Sequence, residues 1–275
     1  MIAAHRRALP PPGPRPVLLE LTDEEALLRA LDRLRPEAVV HAAAIGRADH
    51  CQERPDEAER VNARLPGALA RLCREGGVRL VALSTDLVLP GDRAFAREDA
   101  PPGPLNVYGR TKLAGEEAVL AAFPEAAVAR VALVAGRGHG PRATSTESVA
   151  WALREGRAVR LFTDEHRTPV DAESLADALS RLLERGGAGR YHLGGPERLS
   201  RYELGCRVAR ALGLPEAGIV AARQEEYTGA DRRTPDASLD SSRARRELGW
   251  EPLPIDEAIR KGRATSAGSP GGRSG

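Results

Sequence analysis

Lysine is nearly absent from this chain. Of its 41 Lys and Arg residues only Lys112 and Lys261 are lysines, so guanidinium serves almost everywhere a cation is needed. A lysine kept in so arginine-rich a chain then suggests a task that needs a compact ammonium. Aromatic residues make up 3%, too few for the stacking platforms that hold single-stranded nucleic acid. Acids and bases interleave and leave a formal net charge of +2, which points to no nucleic-acid partner and no membrane surface. No apolar run approaches the roughly 18 to 20 residues of a bilayer span, and no signal-peptide pattern is visible. Cys51, Cys73 and Cys206 are far apart and odd in number. They read as reduced thiols of a cytoplasmic protein and offer no metal spacing. What remains is a cytoplasmic chain of 275 residues, long enough to bury a sizeable core as one α/β unit or as a nucleotide domain with a smaller one attached.

Strand and helix patterns alternate, the signature of a parallel sheet covered on both faces. Residues 17–19 read as a strand, and Thr22-Asp23-Glu24-Glu25 offers a capping-box start to a helix with Leu27, Leu28, Leu31 and Leu34 on one side. Residues 39–44 form the next strand. A helix over about 57–74 follows, with Val61, Leu65, Leu69 and Leu72 buried, then a strand ending at Leu83. Another helix begins near Tyr108, and a strand covers 127–134. After Gly136 the elements shorten between Gly and Pro, consistent with a substrate-facing lobe. The expected organisation is a nucleotide domain over 1–136, a partly interleaved substrate lobe over 137–263 and a disordered Gly/Ser/Pro-rich tail over 264–275.

Lys112 follows Tyr108 by four residues in the run Pro104-Leu105-Asn106-Val107-Tyr108-Gly109-Arg110-Thr111-Lys112. On a helix this spacing puts phenol and ammonium on one face. A neighbouring cation favours phenolate and draws the tyrosine from about 10 toward neutrality, where a general acid/base operates. The same spacing also arises as a chance helix pair. Upstream, Ser84-Thr85-Asp86 directly follows the apolar run Leu80-Val81-Ala82-Leu83. Ligands of open α/β sheets gather at the carboxyl ends of such strands, where a hydroxyl can hold the oxygen that Tyr108 protonates; an ordinary N-cap or turn reads the same way.

Taken together, these pieces resemble the Ser/Thr, Tyr, Lys triad of extended short-chain dehydrogenase/reductases. With His41-Ala42-Ala43-Ala44 and the loop Asp164-Glu165-His166-Arg167-Thr168-Pro169, the chain is similar to the dTDP-4-dehydrorhamnose reductase-like, sugar-nucleotide-binding family from about residue 17 to 259. The resemblance implies a doubly wound, Rossmann-like parallel sheet with a small C-terminal substrate lobe, NADP(H) or NAD(H) as cofactor, a nucleotide-activated sugar as partner and a homodimer as one assembly open to it. It implies Thr85, Tyr108 and Lys112 as catalytic. Arg6, Arg7, Glu20, Leu21, Ala42, Ala43, Ala44 and Leu83 would meet the cofactor together with Tyr108 and Lys112. Thr85, Asp86, Asn106, Arg130 and Arg167 would meet the substrate, although Arg130 on its strand equally suits a plain ion pair. His41 reads as a packed histidine, and Asn62 matches a position supporting the backbone near the site.

A dinucleotide fold opens with a strand, a glycine-rich turn and a helix N-terminus that holds the pyrophosphate. The present sequence opens Met1-Ile2-Ala3-Ala4-His5-Arg6-Arg7, so the expectation is a Rossmann unit without its first β-α unit, through a downstream start-site assignment or a real truncation. Arg6-Arg7 lies where a 2'-phosphate would be read. Gly136-Arg137-Gly138-His139-Gly140 is taken as an entry to the second lobe instead of a phosphate loop. Leu87 stands where dehydratase relatives carry glutamate, which counts against dehydration, and Leu133 replaces an expected substrate-stacking tryptophan. Alternatives are another extended dehydrogenase or epimerase, or a non-catalytic regulatory subunit.

Overall fold

The computed structural model describes residues 2–5, 15–136, 144–229 and 231–267. β1 (Ile2–His5) and β2 (Arg15–Leu18) pair in parallel as a separate two-stranded sheet. In α1 (Glu24–Leu34) the Asp23 carboxylate accepts the Ala26 N–H at 3.0 Å. Asp23, not Thr22, is therefore the cap, and the Thr22 hydroxyl donates to Glu20 at 2.8 Å. Leu27 and Ala30 are buried on α1 while Leu28 is 45% exposed, so the leucine stripe is narrower than expected.

β3 (Ala38–His41) precedes α2 (Ala48–Glu53), a helix the periodicity did not show. α3 (Pro55–Glu59) then passes through a π-helical turn over Arg60–Arg64 into α4 (Leu65–Glu75). The single helix expected here is thus interrupted around Asn62, and π turns of this kind concentrate at functional sites. β4 (Arg79–Thr85), α5 (Val107–Ala122) and β5 (Ala127–Val131) follow.

Next come β6 (Val134–Ala135), α6 (Ser145–Arg154), β7 (Val159–Phe162), β8 (His166–Arg167) and β9 (Val170–Asp171). α7 (Ala172–Arg185) leads back to β10 (Gly189–Leu193), which joins the main sheet beside β5. β11 (Leu199–Ser200), α8 (Arg201–Leu212), β12 (Ile219–Ala222), α9 (Ser242–Leu248) and α10 (Ile255–Ala267) complete the chain. The tail was expected from 264, but helix continues to Ala267; residues 268–275 lie outside the described residues, as do Arg6, Arg7 and 137–143.

The main sheet has the order β10-β5-β4-β3, parallel throughout. Its central strands are buried on both faces because alternate residues enter different cores. Val81, Ala127, Ala129 and Val131 pack with α7, α9 and Trp250, whereas Leu80, Ala82 and Val128 pack with α4 and α5. A third core joins α6, α8 and α10 around Leu153, Leu204 and Ile255. Each fully buried Val or Leu contributes about 1.5–3 kcal/mol, so these faces hold β4 and β5 in register. Thr85 then stands beside Val131 at the carboxyl edge of the sheet. Among the described residues no helix is long and apolar enough to cross a membrane.

Candidate active site

Two capped turns build the site. At the end of β4 the chain enters a 3-10 turn over Asp86–Val88, with Thr85 Oγ1 accepting the Leu87 N–H at 3.2 Å. Helix α5 starts where the Asn106 side chain accepts the Gly109 N–H at 2.9 Å, while its Nδ2 donates to the Arg232 carbonyl at 3.2 Å. Asn106, expected at the substrate, is buried as a helix cap. A Cβ on Gly109 would lie 2.3 Å from the Leu87 carbonyl oxygen. Only glycine lets the first turn of α5 rest on the turn after Thr85, and this contact brings Tyr108 to Thr85.

The Tyr108 phenol is pushed up to about 12, first by burial, with the Thr85 hydroxyl drawing it down and Asp86 adding to the rise. Lys112 is 5% exposed and its Nζ donates to the Leu83 carbonyl at 2.7 Å. Burial lowers this ammonium to about 8, against the pull of Glu116. The expectation that Lys112 draws the phenol toward neutrality is therefore not met in this arrangement. The spacing gives a shared helix face, but the ammonium is engaged by Leu83 and burial disfavours the phenolate. At neutral pH Tyr108 carries its proton, the form required of a donor.

Three further groups frame the pair. His41 is buried, its Nε2 has no partner among the described residues, and burial followed by the charge of Lys112 lowers it to about 4. Asn62, 1% exposed, accepts the Ile45 N–H at 2.9 Å and donates to the Ile45 carbonyl and Thr111 Oγ1, each at 3.2 Å. The π turn thereby fastens the loop containing Ala42, Ala43 and Ala44 to α5. Beside the reacting groups, Asp86 and Arg167 form an ion pair at 3.1 Å, both buried, and Arg167 Nη2 also donates to Glu165 at 3.2 Å. Burial raises the Asp86 carboxyl while Arg167 opposes it. Glu165 in turn accepts from Arg233 Nη2 at 2.6 Å.

Arg130 is placed differently from the substrate-gripping reading. It is 2% exposed in the middle of the sheet, and its Nε and Nη2 fork onto Glu116 at 3.0 and 2.9 Å. A guanidinium on a strand buried on both faces must be paired, and its partner is this carboxylate. Glu116, Arg190 and His192, which complete the cluster, were missed in the sequence. The signal was the four-residue step, since Tyr108, Lys112 and Glu116 share one face of α5. Leu21 packs into the apolar cluster of Leu27, Leu65 and Leu72, and Glu20 is tied to Thr22. Leu133 packs against the core of α6, α8 and α10. Among the described residues no group of three His, Cys, Asp or Glu side chains gathers as a metal site.

The nicotinamide-ribose end of a dinucleotide fits what is present. Ala42 and Ala44 are exposed at the carboxyl edge of β3, directly after His41, which feels the charge of Lys112 and whose Nε2 has no partner among the described residues. Methyl side chains leave backbone open to a flat ligand there, with a phenol and an ammonium as donors.

Comparison with known proteins shows the family and the fold. Residues 3–265 match the family model described as the RmlD substrate binding domain. A probable low-salt glycan biosynthesis reductase of Haloferax volcanii is 31% identical over 248 residues, covering 88% of this chain and 81% of that protein. Methionine adenosyltransferase 2 subunit beta of Xenopus laevis is 32% identical over 240 residues, covering 84% of this chain and 70% of its own. The dTDP-4-dehydrorhamnose reductase of Bacillus anthracis, solved with NADP, shares the fold at a TM-score of 0.85, with 21% identity and coverage of 91% of this chain and 89% of its own. The chain belongs to the RmlD substrate-binding-domain family.

Proposed function

We propose that this protein reduces the 4-keto carbon of a nucleotide-activated sugar with NADPH. The observation that carries the reading is the convergence of Thr85, Tyr108 and Lys112 at the carboxyl edge of β4, with Tyr108 held as a neutral phenol. When bound, the nicotinamide supplies a hydride to the carbonyl carbon. Tyr108 gives its proton to the carbonyl oxygen, and the Thr85 hydroxyl orients that oxygen. Lys112, anchored on the Leu83 carbonyl, holds the ribose side with Ala42, Ala43 and Ala44 beneath it. The Asp86–Arg167 pair presents one anion and one cation to the sugar and its phosphates. The kinship with the Haloferax reductase supports the reading.

The test is NADPH oxidation with a dTDP-4-keto-sugar, wild type against Tyr108→Phe. The variant keeps the ring and loses the transferable proton, so turnover should fall by roughly 10²- to 10⁴-fold; equal rates would remove Tyr108 from the mechanism. A second reading, a regulatory subunit, is favoured by the kinship with methionine adenosyltransferase 2 subunit beta. It expects a methionine adenosyltransferase whose kinetics change on adding this chain, equally with wild type and Tyr108→Phe.

A further inference from the structure

Glu116 lies one helical turn beyond Lys112 on the face of α5 that carries both catalytic candidates. It is 2% exposed, and its carboxylate accepts from Ser84 Oγ at 2.6 Å, from Arg130 Nε and Nη2 at 3.0 and 2.9 Å, and from Arg190 Nε at 3.0 Å. A carboxylate serving only as counter-ion to Arg130 would need no tie to the edge of the site. This one holds the serine directly before Thr85. Glu116 also lines one small pocket with Asn62, Leu83, Ser84 and Lys112. Lys112 itself has a neutral hydrogen-bond partner, the Leu83 carbonyl.

The groups facing Lys112 can be taken element by element. Its own helix contributes Glu116 and the neutral phenol of Tyr108, β3 contributes His41, β4 contributes the Leu83 carbonyl and the Ser84 hydroxyl, and the π turn contributes Asn62. His41 is buried and neutral. Glu116 is thus the anion among these groups, and Arg130, Arg190 and Ser84 fix where its charge sits.

We infer that Glu116 is a positioning residue that keeps the Lys112 ammonium charged at neutral pH and ties Ser84, and with it Thr85, to the helix carrying Tyr108. This assignment rests on the reading of Thr85, Tyr108 and Lys112 as the reducing triad. It adds a second tier behind them, anchored in the sheet by Arg130.

Because the chain holds only two lysines, the charge of Lys112 can be read directly. Full-length protein grown with ¹³Cε-lysine gives two side-chain NMR signals, with Lys261 as internal reference and Lys112→Arg for assignment. In wild type the Lys112 signal should titrate near the value of about 8 that burial and Glu116 together set. In Glu116→Gln the midpoint should fall by about one pH unit or more, the effect of removing a charge one helical turn away. Glu116→Gln/Arg130→Gln removes both members of the buried ion pair together and serves if the single variant does not fold; its midpoint should fall in the same direction. A midpoint unchanged in the folded variants, or a wild-type midpoint below neutrality, would overturn the assignment. The titration needs neither substrate nor cofactor. A normal result beside absent reductase activity would therefore count against the proposed function and leave the role of Glu116 standing.

Discussion

Alanine in place of Gly115 sets two physical effects against each other. Gly115 lies inside α5, where alanine is the better helix former by about 0.8–1 kcal/mol. On propensity alone Gly115→Ala should stabilise. In the folded chain, however, the new Cβ would lie 2.2 Å from the Asn62 carbonyl oxygen, 3.3 Å from its carbon and 3.5 Å from Ala63 Cα. All three are backbone atoms of the π turn, so no rotamer change relieves the contact. Restoring van der Waals distance needs a backbone shift of roughly 1 Å, which puts the cost at about 2–3 kcal/mol, the upper part of the overpacking range. The net expectation is a loss of about 1–2 kcal/mol after the propensity gain. For a chain of this size that lowers Tm by roughly 2–8 °C. The displaced turn carries Asn62 and its bond to Thr111, next to Lys112, and a 1 Å misplacement can cost about 100-fold in rate. Differential scanning calorimetry and NADPH turnover on the same preparation check both parts. A Gly115→Ala protein melting at or above wild type would refute the close approach of α5 to the π turn.

The remaining expectations concern buried charge. Arg130→Gln leaves the buried Glu116 carboxylate without its main partner and should cost about 3–5 kcal/mol, read as a lower denaturation midpoint; unchanged stability with weakened nucleotide-sugar binding would restore Arg130 to the substrate. His41 and His192 are each lowered from 6.5 to about 4, chiefly by burial. Both folded values are depressed, so their contribution is present above the unfolded value and is lost as pH falls through about 4. By pH 5 each has given up about 2 kcal/mol, and urea midpoints that match at pH 7 and 5 would contradict this burial. Lys112→Arg should fold, as circular dichroism will show, yet lose about 100-fold or more in turnover because planar guanidinium cannot reproduce an ammonium seated on the Leu83 carbonyl. A fully active Lys112→Arg protein would mean that charge alone suffices there.

Some of this protein is written in local order. The apolar run before Ser84 made β4, the four-residue step from Tyr108 to Lys112 made a shared helix face, and alternating patterns made a parallel sheet with helices on both sides. Such features depend on spacing between near neighbours, so they can be read without a fold. Partnership across the sheet cannot. Arg130 on its strand suited a phosphate and an ion pair equally until β5 was set beside α5, where Glu116 claimed it. Asn62 could be read as backbone support only through the resemblance, because its bonds run to Ile45 and Thr111, distant in sequence. The ionisation of Tyr108 was misjudged for the same reason: adjacency to Lys112 is local, but the burial that holds the phenol protonated comes from elements far along the chain. The sequence by itself determined which residues could do the chemistry and the strand and helix that carry them. Tertiary structure alone decided which charges are buried, which are paired and which remain free to act, because desolvation and pairing depend on atoms the chain brings together only when folded.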